Sequence, residues 1–230
     1  MEKKITIAID GFSSTGKSSI AKLLAKEFNY VYVDTGAMYR SVTLYAFQNK
    51  FVGKDFLETE KLIENLDDID LDFHYNEKKG FAEMYLNGKN VEQQIRTLQV
   101  SNLVSKVAAI SEVRRKLVKE QQKMGAKGGI VMDGRDIGTV VFPNAELKLY
   151  MTASAETRAQ RRFKELIDKG EEVTYDEVLQ NVINRDEMDS SRKDSPLVKA
   201  EDAIEFDNSH MTIEEQFDRI CSLITNLLAS

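Results

Sequence analysis

Eight consecutive residues, Gly11-Phe12-Ser13-Ser14-Thr15-Gly16-Lys17-Ser18, fit the pattern G-x-x-x-x-G-K-[ST]. Glycines permit a close backbone approach that a Cβ would block, and successive N–H groups at a helix N-terminus can then surround phosphate oxygens. A lysine in this place reaches the β- and γ-phosphates of a nucleotide, and the following hydroxyl is a hard oxygen ligand suited to Mg²⁺. Gly11, Phe12, Ser13, Ser14, Thr15, Gly16, Lys17, Ser18 and Ser19 are therefore candidate nucleotide-binding residues, with Ser18 the candidate metal ligand. The D-x-x-G and N-K-x-D patterns of GTP-binding switches are both absent from the chain.

The arginines add a second signal. Arg40, Arg96, Arg114, Arg135, Arg158, Arg161, Arg162, Arg185 and Arg192 fall in a few short segments, whereas the lysines are scattered. A planar guanidinium suits bidentate phosphate contacts. Arg158, Arg161 and Arg162 stand at i, i+3 and i+4; Arg185, Asp189 and Arg192 stand at i, i+4 and i+7, a spacing that predicts one helical face. Two positive ridges of this kind repel themselves unless an anion arrives between them.

The elements that must position these groups can be read from hydrophobic periodicity. Ile5 to Ile9 is a β-branched apolar run entering the glycine loop, and Ile20, Leu23, Leu24 and Phe28 then share one helical face. Further β-rich runs at Tyr30–Val33, Gly129–Met132, Leu147–Met151 and Ala203–Phe206 alternate with helical stretches, and Ile213 to Leu227 repeats at three to four residues. This predicts a five-stranded parallel sheet covered by helices, an α/β class. Between about residues 69 and 91 the pattern becomes two-residue alternation around Asn87-Gly88, the signal of a small antiparallel insertion. Residues from about 155 to 193 are charge-rich and helical around Lys169-Gly170, suited to a mobile flap.

Composition sets the outer bounds. With 230 residues, 42% hydrophobic and 30% charged, the chain is expected to fold as one domain with appendages. The formal charge of −6 gives no general attraction to nucleic acid or an anionic bilayer. The longest uncharged run, Ile220 to Ser230, is far short of the roughly 20 apolar residues of a membrane span. Lys3 and Lys4 imitate an export signal, but the apolar run after them stops at Asp10. The lone Cys221 has no disulfide partner. A cytoplasmic protein without membrane or nucleic-acid partners is expected. His74 and His210 are read as surface residues, leaving no candidate histidine pair for acid–base work.

Several blocks, taken in order, resemble the bacterial cytidylate (CMP) kinases. They are Ile9-Asp10-Gly11 before the loop, Asp34-Thr35-Gly36-Ala37-Met38-Tyr39-Arg40, Ile95-Arg96-Thr97, Ser105 with Arg114, Asp133-Gly134-Arg135-Asp136-Ile137-Gly138-Thr139-Val140-Val141-Phe142-Pro143, and Arg185-Asp186 leading to Asp189-Ser190-Ser191-Arg192. The likeness runs from Lys4 to about Asp207, and the Asp133 to Pro143 block is its most specific part. It implies a phosphate-loop NTPase three-layer fold: a five-stranded parallel sheet, a small antiparallel β insertion and a helical lid. Within this single domain, 1–34, 97–154 and 194–230 would form the core, 35–96 a CMP-binding region with its insertion at about 69–91, and about 155–193 the lid.

The resemblance also implies an activity and roles. The activity is transfer of the ATP γ-phosphoryl group to CMP or dCMP, giving ADP and CDP or dCDP, with Mg²⁺ as cofactor and a monomer as the working unit. ATP would sit on Gly11 to Ser19. Ser105, Arg114 and Asp136 would read cytosine, Arg185 and Asp189 hold the ribose, and Arg40, Arg135 and Arg192 hold the acceptor phosphate, with Thr35 and Tyr39 lining the same site. Lys17, Arg135, Arg158 and Arg162 would act on the phosphoryl group in flight. The cytosine assignment is chemically coherent, because an N4 donor with N3 and O2 acceptors is complemented by a carboxylate, a guanidinium and a hydroxyl. A kinase for UMP or shikimate is the runner-up, and a nucleotide-dependent switch or RNA-binding factor is the reading from another class. Two residues depart from the family pattern: Phe12 stands where proline is common, and Met188 where a basic residue sometimes occurs. Because backbone donors cradle the phosphates, Phe12 is expected to change the chemistry little.

Overall fold

The computed structural model describes residues 4–229. Residues 1–3 and 230, including Lys3 of the basic start and the outer ends of the 1–34 and 194–230 segments, lie outside the described residues. The elements run β1 (Thr6–Gly11), α1 (Lys17–Glu27), β2 (Val31–Asp34), α2 (Thr35–Gln48), α3 (Thr59–Glu64), β3 (Leu71–Asn76), β4 (Phe81–Leu86), β5 (Lys89–Asn90), α4 (Leu98–Ala108), α5 (Ser111–Gly125), β6 (Ile130–Gly134), β7 (Leu147–Thr152), α6 (Ala155–Asp168), α7 (Tyr175–Ser191), β8 (Ile204–Asp207) and α8 (Ile213–Ala229). All five apolar runs read as parallel strands are strands, within about two residues at each end.

The chain divides into two compact units, one up to Tyr32 and from Gly125 onward, the other Val33–Met124. This division follows contacts, whereas the core, CMP-binding and lid segments read from the sequence follow ligand roles. A five-stranded parallel sheet has the order β2-β6-β1-β7-β8; four of its strands belong to the first unit, and the division of the chain falls within β2, after Tyr32. Central β1 pairs β6 on one side (Ile7 with Val131, Ile9 with Asp133) and β7 on the other (Ile7 with Leu147, Ile9 with Leu149). Both of its faces are covered, so it must be apolar almost throughout, and Ile5, Ile7, Ala8 and Ile9 are fully buried. Ile20 and Leu24 of α1, Phe206 of β8 and Ile220 and Ile224 of α8 close the same core. Each such side chain contributes roughly 1.5–3 kcal/mol on burial.

In this unit α6 and α7 pack against each other. Ser154 caps α6 by accepting the Thr157 N–H, and Thr174 with Glu177 forms a capping box at the start of α7. Helix α7 ends at Ser191, and Arg192 has extended backbone angles (φ −61°, ψ 145°). The i, i+4, i+7 face predicted for Arg185, Asp189 and Arg192 therefore loses its last member to the helix end. The Leu197 N–H donates to the Asp189 carbonyl at 2.8 Å, so the chain folds back where a further helical turn would run.

The second unit holds α2 to α4, most of α5 and the three-stranded antiparallel sheet β3-β4-β5. Its register places Phe73 opposite Met84 and Leu71 opposite Leu86, and Met84 and Leu86 are buried. Asn87 and Gly88 both have positive φ (49° and 73°), as the tight turn between β4 and β5 requires. Asp34 caps α2 by accepting the Ala37 N–H at 2.8 Å, and Thr97 caps α4 through the Val100 N–H.

Candidate functional site

The first unit places the glycine loop between β1 and α1. At Gly11 (φ 144°) an added Cβ would lie 2.1 Å from the Met151 carbonyl oxygen, so only glycine lets β1 pass the end of β7. Gly16 (φ 90°) occupies the N-cap of α1 in the left-handed conformation, with no side chain capping the helix. The first amides of α1 thus lack a capping side chain, and the helix dipole presents positive potential to an anion. Thr15 Oγ1 donates to the Phe12 carbonyl at 3.0 Å, closing the loop on itself.

Lys17 is buried, and its Nζ donates to the Phe12 carbonyl at 2.5 Å. Burial first, and the nearby Arg135 guanidinium second, lower its pKa to about 7 against the opposing pull of Asp133, Asp10 and Asp189. Ser18 Oγ donates to Asp133 Oδ2 at 2.9 Å, and the Tyr32 hydroxyl donates to Asp133 Oδ1 at 2.8 Å. A hydroxyl and a carboxylate side by side at the foot of the loop are the hard oxygen donors Mg²⁺ prefers. Among the described residues no cluster of three or more His, Cys, Asp or Glu could hold a metal ion.

Asp10, at the end of β1, is buried and accepts the backbone N–H groups of Ile137 (2.8 Å) and Gly138 (2.7 Å). Burial raises its pKa to about 6 despite those two donors. The bonds anchor the one-turn π-helix Ile137–Val141, which follows buried Asp136, and so fix the end of β6 that carries Arg135 and Asp136. Arg135 Nε donates to Asp189 Oδ2 at 2.8 Å. Burial opposes ionisation of Asp189, yet Arg135, Arg185 and Arg192 together hold it below the ordinary carboxylate range. Arg192 Nε donates to the Ser195 carbonyl at 2.7 Å. Arg135 faces Asp133 and Asp186 as well as Asp189, and these carboxylates favour its charged form against burial.

The flap arginines divide. Arg158 is buried: it forks onto Asp186, donates through Nε to the Ala153 carbonyl at 2.9 Å, and lies 5.1 Å from the centre of the Phe12 ring. The aromatic departure at position 12 thus supplies a cation–π platform for an arginine. Arg161 turns to Asn208, and Arg162 pairs with Glu165 at 2.9 Å. A cavity of about 340 Å³ lies against Ser14, Gly16, Ser19, Arg161, Arg162 and Gln216.

In the second unit Asp34 is buried and pairs with Arg96 at 2.8 Å and Arg40 at 3.1 Å, while Arg96 also reaches Glu92 at 2.8 Å. Burial alone would raise the Asp34 pKa, but Arg96 and then Arg40 bring it far below the usual carboxylate value. The Arg114 guanidinium lies 5.2 Å from the centre of the Tyr39 ring and donates to the Ala108 carbonyl at 3.1 Å. Thr35, Tyr39 and Ser105 are buried.

The sequence-derived acceptor residues therefore fall into two sets, Thr35, Tyr39, Arg40, Ser105 and Arg114 in one unit and Arg135, Asp136, Arg185, Asp189 and Arg192 in the other. Asp10, Asp34, Arg96 and Asp133 stood inside the quoted blocks without a role. An acidic residue closing an apolar strand was the available signal for Asp10, Asp34 and Asp133. Asp186 and Asn208 gave no such signal. His74 is exposed and stacks on Tyr85, and His210 is exposed.

A family model described as cytidylate kinase matches residues 7–226. A cytidylate kinase from Flavobacterium johnsoniae is 66% identical over 98% of both chains, and one from Bacteroides fragilis is 56% identical over 93% of both. A solved structure of an uncharacterized protein from Eubacterium ventriosum covers 97% of this chain and 99% of its own at 13% identity, with a TM-score of 0.51, a likeness of fold alone. With the family model covering nearly the whole chain and relatives this similar along it, the chain belongs to the cytidylate kinase family.

Proposed function

We propose that the chain is an ATP-dependent phosphotransferase that moves the γ-phosphoryl group of ATP to CMP or dCMP, giving ADP and CDP or dCDP in pyrimidine nucleotide metabolism. The observation that carries this reading is the grouping, within one unit, of the glycine loop, Lys17 and the Ser18–Asp133 pair with the Arg135–Asp189–Arg192 cluster. The reaction needs no general base. A phosphate monoester has its second pKa near 6, so the CMP phosphate is mostly dianionic at pH 7 and arrives as a ready nucleophile. Catalysis then reduces to positioning and charge neutralisation.

Gly11 to Ser19 hold the ATP phosphates, and the arrival of that polyanion favours the charged form of Lys17, which burial opposes in the free protein. Ser18 Oγ and the Asp133 carboxylate are the residues that would hold Mg²⁺, which supplies neutralisation of charge on the phosphates when bound. Arg158 exchanges its Asp186 partner for donor phosphate oxygens, and Arg162 does the same with Glu165. Arg40, Arg135 and Arg192 take the acceptor phosphate. Arg185 and Asp189 take the ribose, with Thr35 and Tyr39 beside the acceptor. Ser105, Arg114 and Asp136 select cytosine, since uracil would set a carbonyl against Asp136 oxygen to oxygen. The protein works as a cytoplasmic monomer without nucleic-acid or membrane partners; among the described residues no helix is long and apolar enough to cross a membrane.

Release of ADP measured with CMP, dCMP, UMP, AMP and GMP as acceptors tests the reading. CMP and dCMP should be turned over best. Equal turnover of UMP or AMP would overturn the assignment of Asp136, Arg114 and Ser105 to the base.

A further inference from the structure

Asn208 follows β8 and is fully buried, in none of the motifs that point to nucleotide chemistry. Every polar atom of its side chain is committed. Nδ2 donates to the Thr15 carbonyl at 2.6 Å and to Gln216 Oε1 at 2.9 Å, and Oδ1 accepts from Arg161 Nη1 at 3.0 Å. Arg161 Nη2 donates to the Asn208 carbonyl at 2.9 Å, and the Gln216 amide is itself fixed by donating to the Met211 carbonyl. The Asn208 amide therefore has one permitted orientation: a flip would set its oxygen against two acceptors and its NH₂ against a guanidinium.

Thr15 lies 193 residues earlier, and its carbonyl accepts from Asn208 at 2.6 Å and, more distantly, from Arg161 Nη1 at 3.4 Å. In a planar trans peptide the C=O and the following N–H point in opposite directions. Pinning the Thr15 carbonyl toward Asn208 therefore turns the Gly16 N–H the other way, and Gly16 is the residue that opens α1 with φ 90°. We propose that Asn208 is a positioning residue for the phosphate loop, holding the Thr15–Gly16 peptide in the orientation that offers the Gly16 N–H to a nucleotide phosphate. Arg161 ties the flap helix α6 to the same amide and to the Thr15 carbonyl itself.

The inference rests on reading Gly11 to Ser19 as the ATP loop, and the experiment separates the two. Saturation kinetics for ATP and for CMP, with thermal melting, are compared for wild type, Asn208→Asp, Asn208→Ala and Lys17→Ala. Asn208→Asp keeps the Arg161 contact but faces the Thr15 carbonyl with an acceptor. It should raise KM for ATP by about tenfold or more while KM for CMP stays within about twofold. Asn208→Ala should show the same split; if it does not fold, the aspartate variant alone decides. An unchanged KM for ATP in Asn208→Asp, or ATP and CMP values rising in step as the melting temperature falls, would overturn the positioning role. If Lys17→Ala impairs ATP use while Asn208→Asp does not, only the positioning role fails. If Lys17→Ala also leaves ATP use intact, the loop reading fails and takes the positioning role with it.

Discussion

Asp10 and Asp34 end β1 and β2, are buried to nearly the same extent (5% and 6% exposed), and titrate in opposite directions. Burial raises both, so the difference lies in the partners. Asp10 meets two backbone amides and reaches a pKa of about 6, whereas Asp34 meets two guanidiniums and an amide and falls far below the ordinary value. One unit uses its carboxylate to hold backbone, namely the turn behind Arg135 and Asp136. The other uses it to hold charge, fixing Arg40 and Arg96 before any anion is present. Similar sequence positions, an aspartate closing an apolar strand, thus do different work.

Removing the charge should separate the two most. Asp34→Asn keeps a competent helix cap yet leaves Arg40 and Arg96 without their shared counterion, and breaking a buried pair from one side costs about 3–5 kcal/mol. Urea unfolding at pH 7 measures it. A loss under about 1 kcal/mol would mean that these guanidiniums behave as surface groups and the contrast is illusory.

The two aspartates should also respond oppositely to pH. A carboxyl whose folded pKa is raised stabilises fully below its unfolded value near 3.8, and that stability is lost as pH rises through the folded value. The advantage of wild type over Asp10→Asn should therefore decline by about 2 kcal/mol between pH 4 and pH 7. Asp34 has the opposite sign, with stabilisation present above the unfolded value and lost as pH falls toward the folded one. Its advantage over Asp34→Asn should hold flat from pH 5 to pH 8 and shrink in stronger acid. Unfolding curves for the three proteins across this range that moved in parallel would break the argument.

What could be read in advance divides along similar lines. The strand, loop and helix from Thr6 to Glu27 are contiguous, so periodicity and one motif sufficed, and the Asn87-Gly88 turn carries its own backbone requirement. The flap was readable as two helices, but not the end of α7 at Ser191, because the bond from Leu197 to Asp189 comes from a return of the chain that no helical repeat encodes. The counterions were hidden for the same reason. Asp186 answers Arg158 from another helix, and Asn208 answers Thr15 across 193 residues, so neither pairing leaves a local pattern.

A smaller effect tests what the turn held by Asp10 is for. Asp136→Ala removes the carboxylate proposed for the cytosine amino group, a contact worth about 1–3 kcal/mol, so KM for CMP should rise roughly tenfold with KM for ATP little changed. Steady-state kinetics in both substrates decide it. Equal losses for ATP and CMP would make Asp136 a structural carboxylate and remove the base from the role of the turn.

The smallest effect belongs to Asp10→Asn itself at pH 8. The amide oxygen can accept one of the two N–H groups while the NH₂ faces the other, a loss of about 1–3 kcal/mol. Against this, the variant no longer buries a carboxylate ionised above its pKa of about 6, which offsets a similar amount. Net stability should stay within about 1 kcal/mol of wild type, far from the cost at Asp34. The loosened amides of Ile137 and Gly138 should instead be visible as faster hydrogen exchange confined to the 136–141 turn and as a kcat reduced a few-fold. Unchanged exchange at those two amides would show that packing around Ile137 and Val141, both buried, holds the turn without the carboxylate.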